Sequence, residues 1–188
     1  MSVFSDQMSF FSELPLALAC AATLVAAWTD ARTGRIPNVL TLPLLPVGLI
    51  LGAVQTGLVG FGAAVLGCLL CFAVPYGLLH FSQGTAIGGG DVKLFAGLGA
   101  LLGPHAGLEV QLSSLILLAV FALLALAWRG QVWALLRRTG WLALNTVLPK
   151  ARRRPVEPQL LMTMRMGPAI CVATWGFATL EHLGHLFI

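Results

Sequence analysis

The sequence predicts an all-α, polytopic membrane protein: one bundle of about six transmembrane helices. Of its 188 residues, 58% are apolar and only 10% are charged, against about 45–50% and about 25% in soluble proteins. The mean hydropathy is +0.90. A chain of this length cannot bury so many apolar residues in a soluble core, because a small domain leaves much of its surface in water. We therefore expect lipid to surround the protein.

The second observation is that the apolar residues form long stretches separated by short polar segments. The predicted spans are Leu14–Trp28, Val39–Val54, Leu58–Phe81, Leu94–Leu108, Leu112–Trp128 and Met166–Phe187. Several are shorter than the ~20 residues that cross a ~30 Å hydrocarbon core, so their ends extend beyond the apolar run or the membrane is locally thin. The fourth is interrupted by Gly103 and Pro104.

A basic segment separates the fifth span from the sixth. Residues 131–148 combine tryptophan with arginine, which is typical of an amphipathic helix lying in the membrane interface. We expect residues 131–160 to form a basic cytoplasmic insertion within a single domain covering residues 1–188.

The charges predict the orientation. If the N-terminus is outside and each span reverses direction, all eleven Lys and Arg residues fall on the cytoplasmic side, as the positive-inside rule requires. The charged residues on the outer side are all acidic, namely Asp6, Glu13, Glu109 and Glu181. Both termini are therefore predicted to lie outside. Residues 1–31 contain no basic residue, so the first stretch is expected to be a retained span rather than a cleaved signal peptide.

The net charge of +4 does not indicate a nucleic-acid partner. The basic run Lys150–Arg154 lies beside a predicted span, where anionic lipid headgroups are the expected partner.

Two aspartates remain on the cytoplasmic side. Asp30 follows the first span, and Asp91 begins the fourth after Gly88-Gly89-Gly90. Two carboxyl groups within hydrogen-bond reach share a proton, because both cannot ionise comfortably. One can then take a proton from water while the other donates a hydrogen bond to a peptide carbonyl, which is aspartic protease chemistry. This chemistry needs neither a metal nor a cofactor, and we expect none.

Each aspartate also has a simpler structural interpretation. An Asp after glycines at a helix start can be an N-cap, and an Asp beside arginines can be a paired surface charge. The pairing of the two sites, rather than either one, favours catalysis. Cys68 and Cys71 form a CxxC, and His182 and His185 are spaced i, i+3, but neither pair has further ligands in the sequence, so no metal site is predicted.

Three segments resemble motifs of the prepilin peptidases, the type IV leader peptidases. Residues 30–38, Asp-Ala-Arg-Thr-Gly-Arg-Ile-Pro-Asn, look like the motif of the first aspartate. Residues 88–93, Gly-Gly-Gly-Asp-Val-Lys, resemble the GxGD motif and the lysine that follows it. Residues 166–170, Met-Gly-Pro-Ala-Ile, are similar to the segment that opens the last helix of the family.

The resemblance implies a membrane aspartic endopeptidase in the bacterial inner membrane. It would remove the short basic leader of type IV prepilins and pseudopilins at the cytoplasmic face, cutting after a glycine and before the hydrophobic helix. Asp30 and Asp91 would be catalytic. The expected supporting residues are Gly88, Gly90, Lys93, Arg32, Arg35, Pro37, Asn38, Gly167 and Pro168. Simpler roles are open for some of them: Arg32 and Arg35 could anchor to lipid phosphates, Lys93 could extend to the interface, and a helix start would account for Pro37 and Asn38.

The sequence departs from the bifunctional members of the family. They carry a large N-terminal cytoplasmic insertion with paired CxxC motifs and also methylate the new N-terminus. Here the loop between the first two spans is only about ten residues long, and the sequence has no such cysteine pairs. We therefore expect no methyltransferase activity, as in the compact peptidases of Flp/Tad pilus systems, known as TadV or CpaA-like.

Two other functions fit parts of the sequence. A small transporter or pilus-assembly factor could bind a cation or proton at the two aspartates, but it would place them near the bilayer midplane rather than at its edge. Intramembrane GxGD proteases of the signal-peptide-peptidase type have a Tyr-Asp pair at the first aspartate. Here Thr29 precedes Asp30, and the only tyrosine is Tyr76.

Overall fold

The computed structural model describes residues 2–81, 88–128 and 166–186. In this part the chain forms four helices, which confirms the all-α prediction. They are α1 (Ser2–Thr33), α2 (Asn38–Phe81), α3 (Gly89–Trp128) and α4 (Gly167–Leu186). The interfacial helix predicted at residues 131–148 and the insertion predicted at residues 131–160 lie outside the described residues.

The chain divides into two compact units. The first comprises residues 1–117 and 165–188, and the second comprises residues 118–164. Of the second unit, the structure describes the last turns of α3. Both aspartates singled out in the sequence belong to the first unit.

Three helical segments of the described chain are long and apolar enough to cross a membrane: Glu13–Thr33, Asn38–His80 and Gly89–Leu124. This supports the membrane-protein class, although the sequence predicted about six spans. The difference arises because α2 contains the second and third predicted spans and α3 contains the fourth and fifth. The sixth predicted span corresponds to α4, which is not among the three segments.

Both long helices contain a backbone break. In α2, Thr56 (φ −135°, ψ 23°) and Gly57 (φ 63°, ψ −138°) leave the helical region. In α3, Gly103 (φ 79°, ψ −178°) does the same. Positive φ is readily adopted by glycine because it has no Cβ. A straight α2 of 44 residues would be about 66 Å long, roughly twice the hydrocarbon core.

Contacts between glycines eight residues apart show that the chain reverses at each break. A Cβ on Gly60 would touch the carbonyl oxygen of Gly52, and a Cβ on Gly107 would lie 3.0 Å from Cα of Gly99. Eight residues of continuous helix rise about 12 Å, so these contacts require the arms to fold back. α2 and α3 are therefore helical hairpins.

The two hairpins pack through residues with little or no side chain. A Cβ on Gly48 would lie 2.6 Å from the carbonyl carbon of Ala100, and a Cβ on Gly67 would touch the carbonyl oxygen of Gly99. Small residues let membrane helices approach until their backbones are in contact. The tight packing fixes the position of the first arm of α3, which begins beside Asp91.

The helix α1 packs against α4 and α2. The buried face of α1 contains Ala19, Ala22, Thr23 and Ala26, which recur at helical spacing. Asp30 lies on the same face one turn further along. Packing with α4 therefore brings a carboxyl group into the helix interface.

The buried side-chain amide of Gln111 donates the hydrogen bond that a backbone carbonyl of α2 lacks because of Pro75. Pro75 has no N–H, so the carbonyl of Cys71, four residues earlier, lacks its helical donor. Nε2 of Gln111 on α3 donates a hydrogen bond of 3.0 Å to this carbonyl. An unsatisfied backbone group is costly where water is excluded, so Gln111 stabilises both this arm of α2 and the contact between α2 and α3.

Candidate active site

Asp30 lies in the last turn of α1, and only 6% of it is exposed. The carbonyl of Asp30 accepts a hydrogen bond of 2.9 Å from the amide of Gly34, whose φ of 68° is typical of a glycine that ends a helix. The helix end and the buried face of α1 thus fix where Asp30 lies. A buried carboxylate needs a hydrogen-bond partner, and that partner comes from a distant part of the chain.

The partner of Asp30 is the backbone of α4. The amide of Gly167 donates a hydrogen bond of 2.9 Å to Oδ2 of Asp30 across 137 residues of sequence. Gly167 is the first residue of α4, while the neighbouring Pro168 is exposed. The structure therefore joins the first and third sequence motifs.

Asp91 lies in the first turn of α3. The carbonyl of Gly88 accepts hydrogen bonds from the amides of Asp91 (3.1 Å) and Val92 (3.3 Å). In return, the amide of Gly88 donates to Oδ2 of Asp91 at 3.2 Å. This reciprocal arrangement resembles a capping box, so the carboxyl of Asp91 also stabilises the start of its helix.

The two carboxyl groups are close enough to interact electrostatically. Each carboxyl group has one oxygen held by a glycine amide. Two carboxyl groups within hydrogen-bond reach of each other favour a state that holds one proton between them, and such a pair can carry out acid–base hydrolysis.

Two contacts hold the start of α3 against the segment that leads into α2. A Cβ on Gly90 would lie 3.1 Å from Cβ of Ile36 and 3.2 Å from its carbonyl oxygen. Nζ of Lys93 donates a hydrogen bond of 2.8 Å to Oδ1 of Asn38. Four of the predicted supporting residues therefore take part in contacts at the start of α3: Gly88, Gly90, Lys93 and Asn38.

The other predicted supporting residues make different contacts. The guanidinium of Arg32 lies 4.0 Å from the ring centroid of Trp28, a cation–π contact on the exposed part of α1. The carbonyl of Arg35 accepts a hydrogen bond of 3.1 Å from the Thr33 hydroxyl. The carbonyl of Pro37 accepts from the amide of Leu40 at 3.1 Å, so Pro37 takes part in the first turn of α2.

Sequence reasoning missed two residues near this site. Ile36 is buried and forms the surface on which Gly90 packs; the available signal was one large apolar residue in an otherwise polar loop. Thr41 is fully buried, and its hydroxyl has no hydrogen-bond partner among the described residues. Thr41 was hidden because a threonine in a membrane helix usually bonds to its own backbone, as Thr23 does.

No group of three or more His, Cys, Asp or Glu residues in the described part of the chain is arranged to hold a metal ion. The side chain of His185, one of the two histidines noted in the sequence, lies outside that part.

Comparison with known proteins agrees with the motifs. Residues 17–127 match the Type IV leader peptidase family. The chain is 40% identical over 119 residues to a "Prepilin leader peptidase/N-methyltransferase" of Burkholderia pseudomallei (strain K96243), which covers 60% of this chain and 37% of that protein. A protein of the same name from Dickeya chrysanthemi is 40% identical over 110 residues, covering 55% and 36%. One from Neisseria gonorrhoeae is 38% identical over 125 residues, covering 60% and 42%.

The chain spans less than half the length of these relatives. No solved structure matches it. The family match covers more than half of the chain and includes both Asp30 and Asp91, whereas Gly167 lies beyond it. The protein belongs to the type IV leader peptidase family.

Proposed function

We propose that this protein is a membrane aspartic endopeptidase that removes the leader from type IV prepilins or pseudopilins. The observation that carries the proposal is that Asp30 and Asp91 interact electrostatically and each has one carboxylate oxygen held by a glycine amide. Their sequence positions match the two aspartate motifs, and the family match of residues 17–127 contains both. The names of the relatives give the substrate class.

The proposed reaction is the addition of water to a peptide bond. One aspartate, as the carboxylate, accepts a proton from a water molecule, whose oxygen attacks the carbonyl carbon of the scissile bond. The other, protonated, donates a hydrogen bond to the carbonyl oxygen as negative charge develops there. When the carbon–nitrogen bond breaks, the leaving amine takes a proton from the dyad, and the leader leaves with a new carboxylate.

We place the reaction at the cytoplasmic membrane face. The reversals of α2 and α3 turn three long apolar segments into five arms, and α4 adds a sixth helix. Six crossings with both termini outside put all eleven basic residues in the cytoplasm. The starts of α3 and α4 and the end of α1 then lie on that side, where a prepilin presents its short basic leader.

We further propose that the activity is limited to cleavage. The relatives are named as N-methyltransferases as well, but only four residues, 34–37, separate α1 from α2 here. A loop this short has no room for the CxxC-containing insertion of the bifunctional enzymes. This short loop resembles the compact organisation of the Flp/Tad peptidases, and a Flp-type prepilin is the substrate that we expect.

The experiment is to combine membranes containing the protein with a Flp-type prepilin and to determine the product by mass spectrometry. We expect a cut directly after the leader glycine and an unmethylated new N-terminus, even when a methyl donor is added. Membranes containing Asp91→Asn are the negative control. If the wild type cleaves neither Flp-type nor other type IV prepilins, the assignment is overturned. A methylated product would overturn the limitation to cleavage.

A further inference from the structure

We propose that Gly167 is a positioning residue of the active site and that its amide holds the Asp30 carboxylate in the orientation that hydrolysis requires. The site would then be built from three segments, the third being the start of α4, which lies beyond the family match. This inference rests on the proposed function, because it assigns a role within that catalytic dyad.

Asp30 is buried in the interface between α1 and α4. The residue is 6% exposed, so solvent cannot orient or stabilise its carboxylate. The amide of Gly167 reaches Oδ2 at 2.9 Å. A hydrogen bond to a charged acceptor is about twice as strong as one between neutral groups. The amide therefore fixes the rotation of the carboxyl group as well as its position.

The structure leaves no space for a side chain at position 167. A Cβ there would lie 2.8 Å from Cβ of Asp30, 3.0 Å from its Oδ2 and 3.2 Å from the carbonyl oxygen of Ala26. Two of these atoms belong to Asp30, and the third belongs to the helix that carries it. Any larger residue must push the carboxyl group and its amide donor apart.

The amide of Gly167 lies at the start of a helix. The amide of Ile170 donates to the carbonyl of Met166 at 3.0 Å, which makes Gly167 the first residue inside α4. The first amides of a helix have no partner in the helix, and their positive end attracts a carboxylate. Pro168 has no amide hydrogen, so Gly167 supplies the donor that reaches Asp30.

Packing along the length of α4 also sets the position of this helix. Ala169, Ala173 and Thr174 of α4 are buried, and α4 packs along α1. The helix pair is thus held together independently of the Asp30–Gly167 bond. Loss of the bond should change the geometry of the carboxyl group while the helices remain associated.

The test compares two glycines of α4. Gly167→Ala should lower kcat for prepilin cleavage by about 100-fold, the typical effect of a displacement of about 1 Å in an active site. KM should stay within about twofold, because the dyad acts on the reacting bond and does not hold the rest of the substrate. Gly176→Ala, where an added Cβ meets no atom within 4 Å, should cleave at the wild-type rate. The proposal would be overturned if Gly167→Ala kept the wild-type kcat, or if it raised KM without lowering kcat.

A second variant separates the amide from the added bulk. Replacing Gly167 with glycolate exchanges the backbone N–H for an ester oxygen without adding a side chain, and kcat should fall at least about 10-fold. An unchanged kcat would show that the hydrogen bond has no catalytic role.

A spectroscopic measurement needs no substrate and so keeps this proposal distinct from the proposed function. In glycine-labelled protein, the proton resonance of the Gly167 amide should move upfield in Asp30→Ala and stay nearly unchanged in Glu109→Gln. If the wild type cuts no prepilin, the proposed function fails while this shift still reports the contact. If Asp30→Ala leaves the resonance in place, the contact itself is refuted.

Discussion

Lys93 and Asn38 join the starts of α3 and α2 through a hydrogen bond of 2.8 Å between Nζ and Oδ1. The bond lies two residues from Asp91 and ties the helix that carries it to the neighbouring hairpin. Lys93 therefore has a direct structural partner, in addition to any effect of its charge on the dyad. A double-mutant cycle can separate the two roles.

We predict that Lys93→Ala and Asn38→Ala are not additive. Each should lower the thermal stability in detergent, and the pair should show a coupling of about 0.5–1 kcal/mol, small because the bond is exposed to solvent. Additive effects would mean that the bond contributes nothing. If Lys93→Ala alone also reduces cleavage further than Asn38→Ala does, the positive charge has a separate function in the site.

The contact between Gly90 and Ile36 predicts a difference between two adjacent glycines. Gly90→Ala places a Cβ 3.1 Å from Cβ of Ile36, whereas a Cβ on Gly89 meets nothing within 4 Å. Cleavage should therefore fall several-fold in Gly90→Ala and remain at the wild-type level in Gly89→Ala. Equal rates in both single variants would contradict the contact.

The hydrogen bond from Gln111 to the carbonyl of Cys71 predicts a rescue. Gln111→Leu should destabilise the protein by about 1 kcal/mol, because it leaves the carbonyl opposite Pro75 without a donor. Pro75→Ala supplies a backbone N–H for the same carbonyl and should remove most of this penalty in the double variant. The measurement is thermal unfolding in detergent. A double variant as unstable as the sum of the single variants would refute this function of Gln111.

The hairpin in α2 predicts unequal effects of two nearby substitutions. Gly60→Val should destabilise the fold by about 1–3 kcal/mol, because the added carbons meet the backbone of Gly52. Gly62→Val should be close to neutral, since an added Cβ there meets no atom within 4 Å. Unfolding of the two purified variants in parallel provides the comparison, and equal stabilities would argue against the reversal at Gly57.

The proposed topology predicts which positions are accessible from each side of the membrane. In a background without the four native cysteines, Thr56→Cys and His105→Cys, near the two reversals, should react with a membrane-impermeant maleimide added outside intact cells. Arg35→Cys should react only after the membrane is opened. Protection of the first two positions would contradict six crossings.

Much of the fold follows from local sequence signals. The gap between the second and third apolar stretches coincides with the break at Thr56 and Gly57. In α3 the break lies at Gly103, inside the predicted fourth span Leu94–Leu108, so the boundary predicted between the fourth and fifth spans was wrong. The sequence predicted Asp91 at the start of a helix, and it lies in the first turn of α3. These features are visible in the sequence because glycine and proline act on their own neighbourhood.

The remaining features depend on packing between distant segments. Nothing near Asp30 indicates that its carboxylate meets the amide of Gly167, since helix packing decides which amide arrives there. The same holds for Gln111, whose partner carbonyl is made available by Pro75 on another helix. The contact of Arg32 with Trp28 is local, but an arginine four residues after a tryptophan could equally have turned toward Asp30.

The most direct test of the central claim is prepilin cleavage in membranes containing wild type, Asp30→Asn or Asp91→Asn, each checked for expression and membrane insertion. Glu109→Gln, which removes an exposed acid elsewhere on α3, is the control and should cut normally. If the two aspartates form the catalytic dyad, both asparagine variants insert normally and leave the precursor uncut. If either variant cuts at the wild-type rate, that aspartate is not catalytic and the dyad is wrong.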